Sequence, residues 1–175
     1  MKKIILITGG QRSGKSMYAE RLALSMTDQP IYFATARIWD EEFKERVKRH
    51  QARRGDNWTN IEEEKYLSHH TIYYKVCVID CITLWCTNFF FDANQNNPKE
   101  PVIDEALDAI KKEFDQFTAQ DATFIFVTNE IGSGGVSDNV VQRRFTDMEG
   151  WMNQYVASKA DEVVLMVSGI PVKIK

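Results

Sequence analysis

The sequence contains no apolar run near the roughly 20 residues that a membrane-spanning helix needs. The longest such run, residues 163–167, has five residues. Lys2 and Lys3 precede only four apolar residues, which is too few for the core of a secretion signal. No repeat, low-complexity tract or linker divides the chain. We therefore expect one domain over residues 1–175, located in the cytoplasm.

Excess positive charge is also absent, because 22 lysine and arginine residues stand against 25 acidic residues and the net charge is −3. Proteins whose main partner is nucleic acid usually carry a basic surface that displaces counterions from phosphates. The composition therefore argues against a nucleic-acid motor.

Residues that commonly bind transition metals are few. The three cysteines, Cys77, Cys81 and Cys86, form no C-x-x-C pair, and no second cluster completes four zinc ligands. We interpret them as reduced thiols packed in the core. Two of the three histidines, His69 and His70, are interpreted as surface residues of a loop.

Short apolar segments alternate with longer amphipathic ones, which predicts an α/β fold around a mostly parallel sheet. Strands are expected at residues 4–8, 31–34, 73–80, 123–128 and 162–167, and helices at residues 15–26, 40–54, 102–117 and 139–159. A polar loop is expected at residues 93–101. Because Pro171 cannot donate a ladder hydrogen bond, the last strand is predicted to be an antiparallel edge.

Residues 9–16 match the phosphate-binding pattern G-x-x-x-x-G-K-[ST]. They are Gly9, Gly10, Gln11, Arg12, Ser13, Gly14, Lys15 and Ser16. In this motif the glycines turn backbone N–H groups toward a phosphate, the lysine adds positive charge and the serine hydroxyl binds Mg²⁺. The motif follows a predicted strand and opens a predicted helix, so it predicts a bound nucleoside triphosphate.

Polar residues end two other predicted strands. Asp80 follows the apolar residues 76–79, where P-loop proteins place the carboxylate that positions Mg²⁺ and its waters. The alternative is an aspartate that only ends its strand and caps a helix beginning at Ile82. Asn129 and Glu130 are further candidates, because ligands of open α/β sheets bind at the carboxyl ends of strands, although either could simply cap a turn.

The predicted helix at residues 40–54 has His50 near its end, and two interpretations of this histidine are open. It continues an apolar stripe of Trp39, Phe43 and Val47, which is typical of a half-buried structural histidine. Five basic residues also surround it: Arg46, Lys48, Arg49, Arg53 and Arg54. Such a cluster suits a polyphosphate and keeps the imidazole neutral, so that it can attack phosphorus.

Several segments together resemble one family of P-loop enzymes. They are residues 8–16, 32–36, 80–83, 127–132 and 167–175, with His50, Trp58 and Glu62. In these the chain resembles the bifunctional adenosylcobinamide kinase/adenosylcobinamide-phosphate guanylyltransferases over nearly its full length. The resemblance implies a P-loop NTPase fold of the RecA-like, three-layer α/β class, with a mostly parallel sheet and an antiparallel C-terminal edge strand.

The resemblance also implies two reactions of cobalamin biosynthesis. With ATP or GTP and Mg²⁺, the enzyme phosphorylates adenosylcobinamide. A histidine, which by position is His50, then attacks the α-phosphorus of GTP and passes GMP to that phosphate, giving adenosylcobinamide-GDP. A homotrimer without nucleic-acid or membrane partners is implied. Which triphosphate serves the kinase step stays open.

The same resemblance implies the site residues. His50 and Lys15 are the expected catalytic residues, and Ser16 and Asp80 the expected metal ligands. Nucleotide contacts are expected at residues 9–16 and at Ala34, Thr35, Ala36, Gln51, Ala52, Arg53, Arg54, Glu62 and Asp80. Aspartate at position 80 replaces the glutamate common in the family, and residues 133–138 replace a more apolar segment. The alternative is a simple small-molecule or nucleotide kinase without a covalent intermediate, which gives His50 no role.

Overall fold

The computed structural model describes residues 2–38, 41, 45 and 54–175. The strands are β1 (Lys3–Gly9), β2 (Ile31–Ala34), β3 (Thr59–Glu62), β4 (Val76–Asp80), β5 (Thr123–Val127), β6 (Glu162–Val167) and β7 (Ile170–Lys173). The α-helices in the continuous described ranges are α1 (Lys15–Met26), α2 (Ile82–Ala93), α3 (Asp104–Phe117) and α4 (Val140–Lys159). Glu41 and Glu45 are also helical, and the rest of the predicted helix before Arg54 lies outside the described residues.

The strands form one sheet in the order β3-β2-β4-β5-β1-β6-β7. All neighbouring pairs are parallel except β6 and β7, which are antiparallel. Pro171 lies in β7 at the edge of the sheet, where its missing N–H removes no ladder bond from a further strand. The predicted sheet and its antiparallel C-terminal edge are confirmed.

Helices cover both faces of the sheet, which makes the fold three-layered. On one face, Ile5, Ile7 and Val78 pack with Ala19 and Ala23 of α1. On the other face, alternate residues of the same strands form a larger core with α2, α3 and α4, including Trp85, Phe114 and Met152. A strand buried on both sides reads as a continuous apolar run, as the predicted strands do.

The apolar stripe of α4 faces this larger core, as predicted. Met148, Met152 and Val156 are buried in it, while Val141 and Phe145 pack against its margin. The side chain of Asn139 caps the helix by accepting a hydrogen bond from the N–H of Gln142 at 3.1 Å.

Several elements differ from the sequence-based expectation: α2 was not among the expected helices and entered only through the alternative interpretation of Asp80 as a helix cap, and α3 begins at Asp104 rather than at residue 102. β4 begins at Val76, three residues later than expected, because Tyr73 and Tyr74 are exposed and Tyr74 has a left-handed φ of 61°. β3 was not expected, since its sequence Thr-Asn-Ile-Glu is short and polar and it pairs on one side only. None of the helices described is long and apolar enough to cross a membrane.

The cysteines are packed thiols, as predicted. Cys77, Cys81 and Cys86 are free and buried, and burial raises the pKa of each thiol. Among the residues that the structure describes, no group of three or more His, Cys, Asp or Glu side chains could hold a metal ion.

Candidate active site

The candidate residues meet because parallel strands end at one edge of the sheet. Across β3, β2 and β4, the register places Glu62 beside Ala34 and Ala34 beside Asp80. Asp80 in turn pairs with Val127, which pairs with Ile7 near the end of β1. The phosphate motif, Asp80 and the residues after Val127 therefore share the edge at which α/β proteins bind ligands.

The phosphate motif forms a tight backbone turn between β1 and α1. Gly9 has a φ of 150°, and a Cβ atom there would lie 2.6 Å from the carbonyl oxygen of Met166. Gly14, with a φ of 93°, is the N-cap residue of α1. Both positions require glycine, one for a close backbone approach and one for a left-handed conformation. The N-terminus of α1 consequently opens directly onto the loop, where it favours an anion.

Lys15 is held within this loop. Its side chain is buried, with the residue 7% exposed, and Nζ donates hydrogen bonds to the carbonyl oxygen of Gly10 at 2.6 Å and to Ser13 Oγ at 3.5 Å. Burial lowers the pKa of Lys15, while the nearby Cys81, Asp80 and Glu149 act in the opposite direction. The ammonium group is thus positioned at the place where the motif predicts a phosphate.

The C-terminal hairpin of β6 and β7 contacts the same loop through a backbone hydrogen bond. The N–H of Gly169, in the turn between β6 and β7, donates to the carbonyl oxygen of Ser13 at 3.0 Å. Its Cα also lies near Gly14, since a Cβ on Gly14 would be 3.4 Å away from it. This contact explains why the distinctive Val-Ser-Gly-Ile segment belongs to the site region, although it carries no charged group.

Asp80 has a buried tyrosine as its partner. The hydroxyl of Tyr32, on the neighbouring strand β2, donates to Asp80 Oδ2 at 2.7 Å. Burial, then the charge of Asp80 and this hydrogen bond, raise the pKa of Tyr32 well above its usual value. The phenol therefore stays protonated and donates a hydrogen bond to Asp80. The carboxylate is therefore fixed in orientation through one oxygen.

Arg54 and Trp58 support Tyr32 in turn. The guanidinium carbon of Arg54 lies 3.5 Å from the centre of the Tyr32 ring, and Trp58 packs edge-on against that ring. Arg54 Nε donates to Asn60 Oδ1 at 2.8 Å, and Nη1 is 3.8 Å from Glu20 Oε1. Arg54 therefore packs against Tyr32, which in turn bonds Asp80.

A polar network lies beside these groups, where α2 and α4 meet the end of β5. Thr83 Oγ1 donates to Glu149 Oε1 at 2.5 Å and accepts from the N–H of Asn129 at 3.0 Å and from Asn129 Nδ2 at 3.1 Å. Thr128 donates to Asn153 Oδ1 at 2.7 Å, and Asn153 Nδ2 donates to the Asn129 carbonyl oxygen at 3.3 Å. Two residues of α4 therefore brace the end of β5.

The remaining predicted site residues fall into two groups. Ala34, Thr35 and Ala36 follow the end of β2, where the buried Thr35 donates to the carbonyl oxygen of Cys81 at 2.8 Å. The exposed Glu62 and Glu130 lie at the same edge of the sheet. Four predicted residues lie outside the described part of the chain: His50, Gln51, Ala52 and Arg53.

The two other histidines differ from each other. His69 is exposed and its ring stacks on Tyr66, as expected of a surface residue. His70 is half-buried, packs edge-on against Phe33 in the core and lies 3.5 Å from Glu63. The prediction of a surface residue is therefore confirmed for His69 and wrong for His70.

Three residues of the site had no predicted role: Tyr32, Thr83 and Glu149. Glu149 carries a signal that could have revealed it, since it lies four residues after Phe145 and three before Met152, within the apolar face of α4. A charged residue on a buried helix face requires a partner. Tyr32 carries no such signal, because a tyrosine in a buried strand is ordinary.

The oxygen donors at this edge fit a magnesium ion better than a softer metal. Asp80 offers a carboxylate and Ser16 a half-buried hydroxyl, and each has an element that fixes it, β4 and α1 respectively. Mg²⁺ is usually held by one or two such protein groups together with phosphate oxygens and waters. Asp80 and Ser16 are therefore the residues that would hold the ion.

Comparison with known proteins gives a consistent result. Residues 5–174 match the family model described as cobinamide kinase / cobinamide phosphate guanyltransferase. The bifunctional adenosylcobalamin biosynthesis protein CobU of Escherichia coli is 38% identical, over 98% of this chain and 99% of its own. The bifunctional adenosylcobalamin biosynthesis protein CobP of Pseudomonas aeruginosa is 33% identical, over 97% of this chain and 96% of its own.

A solved structure supports the fold independently. An ATPase from the type III secretion system of pathogenic bacteria matches with a TM-score of 0.57 and 12% identity, over 94% of this chain and 51% of that chain. At this identity the likeness shows the fold alone. It agrees with the P-loop α/β architecture predicted from the sequence.

Proposed function

The chain belongs to the cobinamide kinase / cobinamide phosphate guanyltransferase family, and we propose that one phosphate site, at residues 9–16, serves both reactions of that family. The enzyme is bifunctional: it phosphorylates adenosylcobinamide and then transfers a guanylyl group to the resulting phosphate, in cobalamin biosynthesis. The observation that carries the proposal is the position of the buried Lys15 at the start of α1, after the loop that follows β1 at the sheet edge where Asp80 ends β4.

In the kinase step, Lys15 and the backbone N–H groups of the loop hold the β- and γ-phosphates of ATP or GTP. The Lys15 ammonium exchanges its bonds to Gly10 and Ser13 for phosphate oxygens. Asp80, fixed by Tyr32, and Ser16 hold Mg²⁺, which when bound neutralises charge on the transferring phosphoryl group. Catalysis of this kind depends on positioning and electrostatic stabilisation, because the protein forms no covalent bond to phosphate.

In the guanylyl step, His50 attacks the α-phosphorus of GTP, and pyrophosphate leaves. The phosphate of adenosylcobinamide phosphate then attacks the histidine-bound GMP, which frees His50 and forms adenosylcobinamide-GDP. The basic residues near His50 in the sequence support this role, since positive charge favours the neutral imidazole and binds a polyphosphate. A homotrimer stays a prediction, and so do nucleotide contacts by Ala34, Thr35, Ala36, Gln51, Ala52, Arg53, Arg54 and Glu62. We propose a cytoplasmic location, where nucleoside triphosphates and reduced thiols coexist.

Replacing Asp80 with asparagine tests the metal role. Asparagine keeps the shape and can still accept from Tyr32, but it lacks the charge that draws Mg²⁺ and its waters. We expect the kinase step to need a higher Mg²⁺ concentration, while binding of the metal-free nucleotide changes little. Kinase rates measured over a Mg²⁺ titration check this, with Asp28→Asn as a control outside the site. If the kinase rates of Asp80→Asn and wild type depend on Mg²⁺ concentration in the same way, Asp80 has no metal role and only ends its strand.

Product analysis tests the proposed function itself. With adenosylcobinamide and ATP alone, the protein should form adenosylcobinamide phosphate; with GTP alone, the phosphate should form first and then be consumed. When GTP is then supplied to the ATP reaction, that product should convert to adenosylcobinamide-GDP with release of pyrophosphate. Chromatography with mass detection separates the three corrinoids. A protein that stops at the monophosphate is a simple kinase, which would contradict the bifunctional assignment.

A further inference from the structure

The hydroxyl of Thr83 has its full hydrogen-bonding capacity in use. A hydroxyl has one hydrogen to donate and two lone pairs to accept with. Thr83 donates to Glu149 Oε1 and accepts from both nitrogens of Asn129, the backbone N–H and Nδ2. The hydrogen bonds therefore run in one direction, from Asn129 through Thr83 to Glu149.

The direction of this chain is set at its Glu149 end. An ionised carboxylate can only accept, so Thr83 must donate to it and has no hydrogen left for Asn129. The side-chain amide of Asn129 must then turn its nitrogen toward Thr83. Its Oδ1 makes no hydrogen bond within the described residues, and Asn129 is only half-buried at the carboxyl end of β5. An acceptor atom is thus left available at the edge of the sheet.

That edge is the phosphate site. Glu130, the next residue, donates its backbone N–H to the carbonyl oxygen of Gly9 at 3.0 Å, and β5 pairs with β1 directly before the loop. Asn129 is therefore one residue from a direct contact with the phosphate-binding loop. On its other side, Asn153 Nδ2 donates to the backbone carbonyl of Asn129 and holds that residue in place.

Resting on the proposed function, we propose that Glu149 is a positioning residue for the kinase step: through Thr83 it keeps Asn129 Oδ1 turned outward, where this oxygen accepts a hydrogen bond from the attacking hydroxyl of the substrate. In this role Glu149 never touches substrate. Its contribution is orientation of the nucleophile, which requires an acceptor rather than a donor at position 129.

The surroundings of Glu149 show that its charge is costly. The residue is fully buried, and Oε2 has no hydrogen-bond partner within the described residues. A carboxylate in this state destabilises the fold, so its presence is better explained by function than by stability. Burial raises the pKa of Glu149 to about 7, the bond from Thr83 lowers it, Glu130 raises it and Lys15 lowers it. Two further neighbours from the same region, Cys81 and Cys86, are thiols whose own raised pKa values keep them uncharged.

Glu149→Gln reverses the chain. Only one end of the glutamine amide can bond Thr83, and the other end has no partner among the described residues. Fewer hydrogen-bonding groups stay unpaired if Nε2 donates to Thr83 and Oε1 is the atom without a partner. Thr83 then accepts from this new amide and from the Asn129 backbone, so its hydrogen points to the Asn129 side chain. That side chain must turn Oδ1 inward and present a donor at the site.

The test is a comparison of kinase kinetics and melting temperatures between pH 6 and 8. For Glu149→Gln we expect a kcat lower by about tenfold or more, with a KM for the triphosphate within about twofold of wild type. The kcat of wild type should fall as the pH drops through about 7, where Glu149 gains a proton, and this acid limb should vanish in Glu149→Gln. Because the folded protein favours protonated Glu149, the charged carboxylate destabilises it most above pH 7. Glu149→Gln should therefore raise the melting temperature above pH 7 and change it less at pH 6.

Three variants complete the design. Thr83→Val breaks the chain and should lower kcat as Glu149→Gln does, whereas Thr83→Ser keeps the hydroxyl and should retain activity. Glu113→Gln is the matched control, because Glu113 is also a buried helical carboxylate, accepting from the N–H of Ser68 at 2.7 Å, and it lies on α3. It should lower the melting temperature without altering the pH profile of kcat.

The outcomes are separable. If wild type forms no adenosylcobinamide phosphate, the proposed function is wrong. If wild type is active and a folded Glu149→Gln protein keeps the wild-type kcat and pH profile, only the role of Glu149 is wrong. Should Glu149→Gln fail to fold, an active Thr83→Val protein with wild-type kcat overturns the inference equally.

Discussion

Replacing Lys15 with alanine is expected to abolish both reactions. The same loop must hold the triphosphate when its γ-phosphoryl group is transferred and when its α-phosphorus is attacked. Lys15 is already buried and bonded within the loop, so its charge is positioned before the nucleotide arrives. Loss of one such preorganised group typically lowers kcat by about a hundredfold to a thousandfold. Rates of formation of adenosylcobinamide phosphate and of adenosylcobinamide-GDP measure the two losses separately.

The control for Lys15→Ala is Lys99→Ala, which removes an exposed lysine from the loop after α2. This variant should retain both activities. Circular dichroism and a melting curve establish that Lys15→Ala is folded. Near wild-type rates in a folded Lys15→Ala protein would exclude the phosphate loop from the mechanism.

His50→Ala is expected to separate the two reactions. Without the imidazole no covalent GMP can form, so adenosylcobinamide-GDP should fall below detection. The kinase step needs only transfer of the γ-phosphoryl group to a hydroxyl and should survive in large part. Parallel assays with adenosylcobinamide and with purified adenosylcobinamide phosphate as substrates measure each step alone.

The matched control is His69→Ala, which removes an exposed histidine that stacks on Tyr66. It should keep both activities. Equal loss of the kinase and guanylyl reactions in His50→Ala would mean that His50 is a structural histidine of an amphipathic helix, the other interpretation that its sequence context allows.

The fold follows closely from sequence because its signals are local. A strand covered on both faces reads as a continuous apolar run; β2 coincides with such a run, and β6 is one after its first residue, Glu162. Pro171 likewise indicates an edge strand, because it has no backbone N–H to donate to a further strand. β3 escapes prediction since an edge strand can form from four polar or mixed residues when a parallel neighbour supplies the hydrogen bonds. Its pairing is a tertiary contact, which no local pattern encodes.

The site divides in the same way. The glycines, Lys15 and Asp80 are predictable because each stands at a fixed spacing or at the end of a strand. The partner of Asp80 is not predictable, since Tyr32 is 48 residues away in sequence and meets it only through the pairing of β2 with β4. The network of Thr83, Asn129 and Glu149 joins three separate elements, so only the packed structure brings it together.

The most direct test of the central claim is the intact mass of the wild-type protein after incubation with GTP and Mg²⁺. We predict a gain equal to one GMP on the folded wild-type chain, lost in mild acid and kept in alkali, as a phosphoramidate on histidine requires. The same treatment should leave His50→Ala unchanged. A wild-type protein that never gains the mass of GMP, or a His50→Ala protein that gains it equally, would contradict the account of a bifunctional enzyme that carries GMP on His50.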